Sequence, residues 1–174
     1  MIDPTEKSAE MRENHNAQYG PTFATLLAAA PMNELGSGKP VLAMKGRLEN
    51  LADHNTLASA FAPRPILDRA MAQACLAGLW LRFDFLDESH RISQEIDNQT
   101  GSFWHGIMHR REPDYGNAKY WFRRVGRHPS FAALGDSARV IALTSPPETA
   151  ADFLKQQENW DPFAFIDFVA VVHE

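Results

Sequence analysis

From Ile66 to Leu86 the chain reads "ILDRAMAQACLAGLWLRFDFL". Ala, Leu and Met dominate this run, and all three are strong helix formers. A helix that is apolar on nearly every side has to be wrapped by neighbours, so it belongs at the centre of its fold. Gln73, Arg82 and Asp84 interrupt the run, which makes it a core helix and not a membrane span. Pro65 suits the first turn of that helix. The expectation is an all-α, single compact multi-helix domain built around an apolar central helix at about 66–86. Arg82 and Asp84 sit between Trp80, Phe83 and Phe85. Charges in such surroundings need partners, and the Arg- and His-rich stretch further along offers them. Cys75, flanked by Ala74, Leu76 and Ala77, reads as a buried structural thiol. As the sole cysteine it excludes an intrachain disulfide and a cysteine-rich zinc site.

The 174 residues are enough for one domain. Residues 1–20 read as a polar N-terminal arm, without the apolar run of a signal peptide, and 21–174 as a single helical domain. A cytoplasmic location is the default expectation. The net charge of −5 leaves no global surplus of Lys and Arg for a phosphate backbone, so nucleic-acid binding is not expected. No nucleophile elbow, dinucleotide fingerprint or P-loop occurs.

Punctuation by Gly and Pro outlines the helices. A small apolar helix or turn falls at 21–31 and a loop at 36–40. Short helical pieces follow at 41–62, with Asp53 and Asn55 as caps. Past the central run, a polar helix is expected over 87–98, capped by Asp87 or Ser89. "TGS" at 100–102 breaks it, and Ser102 caps the next helix to about 112. Pro113 ends or kinks that helix, Asp114 caps another to about Val125, and Gly126 ends it. Helices from Pro129 to Leu143 and from Pro147–Glu148 to Glu158 come next. "FVAVV" near the end suits a helix or a strand. Trp160, Phe163, Phe165 and Phe168 read as a packing face for the last segment or as the seam of a homo-oligomer.

Residues 102–131, "SFWHGIMHRREPDYGNAKYWFRRVGRHPSF", hold three of the seven His and six of the seventeen Lys and Arg. Each helical residue turns the side chain by about 100°. On the first helix Phe103, Trp104, Ile107 and Met108 share one arc. His105, His109 and Glu112, spaced i, i+4, i+7, share another. On the second, Ala118, Trp121, Phe122 and Val125 face the core. Lys119, Arg123 and Arg127 form a polar arc, with Asn117 and Arg124 at its edge. Two His one turn apart can point at one divalent metal, with Glu112 or His90 as further ligands and Asp87 and Glu88 nearby. Arg110, Arg111, Asn117, Lys119, Arg123, Arg124 and His128 would hold a small anionic ligand through bidentate forks. The plain alternative is a solvated face whose charges pair with the chain's own carboxylates.

With its upstream "LDESHRISQEI", this stretch resembles the signature of an uncharacterised family of bacterial and fungal proteins over roughly residues 84–130. The resemblance implies no activity; it adds weight to the stretch as the functional region. Three functions remain open from the sequence. The first is a metal- or small-ligand-binding protein with a His/Arg-lined pocket, extending to metal-assisted hydrolysis. The second is a non-enzymatic module for an acidic partner or anionic ligand, and the third a structural protein with no site here.

Overall fold

The computed structural model describes residues 20–144 and 151–173. Among them the chain is all-α, with nine α-helices, two short 3-10 turns and no strand. No described helix is long and apolar enough to cross a membrane. Contacts gather into two compact units. One comprises residues 20–34 and 38–93; the other comprises 35–37 with the described residues from 94 onward.

The first unit contains α1 (Pro21–Ala29), α2 (Lys45–Ala52), α3 (His54–Ala60), α4 (Arg69–Arg82) and α5 (Leu86–Ser93). Its core joins Phe23, Leu48, Leu57, Leu76, Trp80 and Phe83. The apolar run thus holds the middle of this unit, but the helix itself is shorter than the run. It opens at Arg69 because the Asp68 carboxylate accepts the Met71 N–H at 3.1 Å. Pro65 is left in the preceding loop. One strip of α4 is also open: Met71 and Cys75 are exposed. The expectation of a buried Cys75 is corrected accordingly; its thiol is an exposed one, although surrounding atoms desolvate it enough to raise its pKa.

α4 ends where Asp84 takes a left-handed φ of 64°. The segment ahead of α2 meets it there. Asn33 donates to Asp84 Oδ1 at 2.6 Å, and the Lys39 N–H donates to Oδ2 at 3.3 Å. Gly38, with φ 67°, passes so close that a Cβ on it would lie 2.5 Å from Asp84 Oδ2. The Arg82 guanidinium donates to the carbonyls of Ala30 and Pro31 and to Asn33 Oδ1. Residues 30–39, which the Gly and Pro content marks as a plain loop, therefore supply partners to both of these charges.

The second unit holds α6 (Gln99–Arg111), α7 (Tyr115–Val125), α8 (Ser130–Thr144) and α9 (Pro162–Val172), with a 3-10 turn at Asp152–Gln156. Two boundaries differ from expectation for one reason. Asn98 accepts the N–H groups of Thr100 and Gly101, both at 2.9 Å, and so caps α6. An N-cap has extended backbone, so the preceding helix cannot run to 98, and α5 stops at Ser93. "TGS" is the first turn of α6 and not a break. Gly101 is required there, because any Cβ would run into the Ile96 carbonyl. Asp114 caps α7 through the Asn117 N–H, and Gly126 closes it with φ 58°. "FVAVV" is helical, within α9. The helix expected from Pro147 begins outside the described residues, and its described remainder is the 3-10 turn. The polar arm also lies outside them, except Gly20.

α6 and α7 pack around Phe103, Ala118, Phe122 and Val125, with Ile166 from α9. Gly106 sets their spacing, since a Cβ on it would stand 2.8 Å from the Phe122 ring. Replacing Gly106 with Ala is expected to cost about 1–3 kcal/mol through overpacking, despite the better helix propensity of Ala. Gly46→Ala in α2, which meets nothing within 4 Å, should instead stabilise by about 0.4–1 kcal/mol. Chemical denaturation of the two variants reads the contrast.

Candidate functional site

His105 and His109 are 3% and 6% exposed. The stripe that need not have been core is enclosed, while Trp104 and Ile107 on the aromatic arc are only half-buried. The His105 ring lies between two others. It stacks on Trp121 at 3.9 Å with 15° between planes, and on His109 at 4.9 Å with 20°. Trp121, expected purely as core, plates the histidines. One ring nitrogen of His105 and one of His109 lie within 4.8 Å of each other.

The link between α6 and α7 furnishes the polar partners. Glu112 Oε2 is 3.1 Å from His109 Nδ1, and Asp114 Oδ2 is 4.0 Å from it. An ionised carboxylate can only accept, so Nδ1 carries the hydrogen and donates to Glu112. The Asn117 amide nitrogen stands beside the same ring, 3.1 Å from Nε2 and 3.4 Å from Nδ1. Asn117 therefore belongs to the histidine centre and not to the arginine set. His90 is half-buried on α5 of the first unit.

The expected anion cluster is dispersed. Lys119 pairs with Asp167, and Arg124 with Asp97 at 3.1 Å while lying over Trp121. Buried Arg111 donates from Nε to the Gly36 carbonyl at 3.0 Å and from Nη2 to that of Ser37 at 3.2 Å. The Ser37 hydroxyl donates back to the Arg111 carbonyl. Arg123 and Arg127 are exposed. Arg110 alone lines a pocket, of about 240 Å³, bounded otherwise by apolar side chains that include Ile107, Trp160 and Phe165. Its Nη1 donates to the Leu35 carbonyl at 3.1 Å, and its Cζ stands 5.1 Å over the Phe165 ring. Desolvation, then the neighbouring Arg111 charge, pull its pKa down to about 10, with Tyr115 opposing. It stays a cation at neutral pH. Neither the 35–37 segment nor the pocket is visible in helical spacing, because both come from residues far apart in sequence. The aromatic run of α9 was the one available signal.

His128 is built into packing. Its ring stacks on Phe103 at 4.8 Å, Nδ1 accepts from the Ser130 hydroxyl at 2.8 Å and backbone N–H at 3.3 Å, and Nε2 faces Thr100 Oγ1 at 3.3 Å. Burial lowers its pKa below 6.5. The fold thus favours the neutral ring, and the unfolded chain takes up the proton first as pH falls. The contribution is complete above about pH 6.5 and shrinks as pH drops through that value toward the folded pKa. Urea midpoints taken at about pH 7.5 and about pH 5.5 should fall more for the native chain than for His128→Gln. Comparison with protein-family models, curated proteins and solved structures finds no match to this chain.

Proposed function

We propose that the second unit binds a divalent metal at His105 and His109, positioned by Glu112. The observation that carries this reading is the buried pair of stacked imidazoles with one nitrogen from each within 4.8 Å. Two imidazoles on one ion, at about 2.0–2.1 Å each, need that gap to close and the stacked rings to rotate until their in-plane lone pairs converge. Glu112 on His109 Nδ1 supplies the carboxylate–histidine arrangement that fixes the tautomer and aims Nε2 at a metal. Glu112, expected as a ligand, is then a positioning residue. The Asn117 amide stands beside the His109 ring, off the axis of the Nε2 lone pair that an ion would take. Imidazole donors beside carboxylates suit zinc, nickel or copper better than magnesium or calcium. An ion with open positions would activate water, which makes metal-assisted hydrolysis the matching chemistry.

The test is metal analysis of the chain purified without a His tag. About one equivalent of bound metal is expected, or a raised melting temperature on adding zinc or nickel to stripped protein. His109→Ala should abolish the effect, and Glu112→Gln should weaken metal affinity about 10–100-fold. Failure of the unaltered chain to bind zinc, nickel, cobalt or copper at stoichiometric levels overturns the reading.

A further inference from the structure

The pocket of the second unit has one feature that its lining makes costly. Phe103 and Ile107 of α6, Phe122 of α7, Leu134 of α8, and Trp160 and Phe165 at α9 give it apolar walls, and Arg110 is the one charged side chain among its lining residues. Among the described residues, no carboxylate lies within ion-pairing distance of Arg110, and its hydrogen bond is to the Leu35 carbonyl. A guanidinium has five N–H donors in a planar fork. A cation held in apolar surroundings without a counter-ion is expensive, and an anion bound beside it offsets that cost.

We infer that this pocket binds a small apolar monocarboxylate, with the carboxylate on the Arg110 guanidinium and the hydrocarbon body among Phe103, Phe122, Leu134 and Trp160. The volume sets the size of the guest. A cavity of about 150 Å³ takes a benzene ring, so about 240 Å³ suits a phenyl ring with a short chain, or roughly an eight-carbon acid. A single Arg fork matches one carboxylate in bidentate fashion. A dianionic phosphate would leave its second charge against aromatic walls, which selects the carboxylate. The inference is independent of the metal reading: it uses none of His105, His109 and Glu112.

The experiment is calorimetric titration of the full chain with 3-phenylpropionate and octanoate, beside 3-phenylpropanol and octanol as neutral isosteres. Saturable one-to-one binding of an acid, at least about tenfold tighter than its alcohol, is expected. Arg110→Gln should erase that preference while the alcohol still binds, and Leu134→Trp, which fills the cavity, should remove both. Circular dichroism confirms that each variant is folded, and the acid-to-alcohol comparison on the native chain needs no variant at all. Absence of saturable binding by either acid overturns the assignment. So does equal affinity for acid and alcohol, or undiminished acid binding in a folded Leu134→Trp chain. A chain that binds the acid but no metal would sink the metal reading alone, and the reverse result would sink this one alone.

Discussion

The second unit is organised by the enclosure of α6. Ser102, His105, His109 and Arg111 are all buried on it, alongside Phe103 and Met108. Polar groups removed from water must be hydrogen-bonded, or the fold loses on the order of 1–3 kcal/mol for each one left unmade. That requirement reaches well beyond the helix. It places Glu112 and Asn117 on His109 and draws the backbone of 36–37 onto the Arg111 fork. Enclosure itself depends on Gly106, which lets the Phe122 ring approach more closely than any side chain would permit.

Two stripes of the same helix then acquire different characters. His105, His109 and Glu112 recur at i, i+4, i+7, and so do Phe103, Ile107 and Arg110. The stripes are offset by two residues, about 200° round the helix. One carries imidazoles closed off by Trp121; the other carries hydrocarbon that ends in a cation above Phe165. Each stripe finishes with a charged group near the end of α6, so a polar centre and an apolar pocket share a single rigid support. A site held on a helix is better fixed than one held on loops.

Much of this was legible where the controlling interaction is short-range. Asp114 and Gly126 bound α7 through contacts within a few residues, and both are readable from residue type alone. The i, i+4, i+7 stripe was equally plain. What spacing cannot say is which side of a helix its neighbours will cover. That is why the histidines read equally well as a solvated face, and why Cys75, set in apolar sequence, turned out exposed. The start of α6 was obscured by a competition. Thr100, Gly101 and Ser102 look like a break, but the Asn98 side chain takes the N–H groups of Thr100 and Gly101, its backbone carbonyl takes that of Ser102, and Gly101 clears the Ile96 carbonyl. Neither fact is a property of the three residues themselves.

The dispersal of the basic cluster follows from the same geometry. Consecutive residues on a helix diverge by about 100°, so cations adjacent in sequence point into different surroundings. Lys119 and Arg124 find carboxylates on exposed ground, where such pairs contribute little and carry no ligand chemistry. Arg111 is spent on backbone carbonyls. Arg110, one position earlier, enters hydrocarbon. A surplus of charge on a surface is ordinary; a half-buried guanidinium among aromatic rings is less so, because solvent screens it less and its field acts more strongly on whatever enters. The density of Arg in this stretch is therefore a weak guide to function, and the polarity of the walls around one of them is a stronger one.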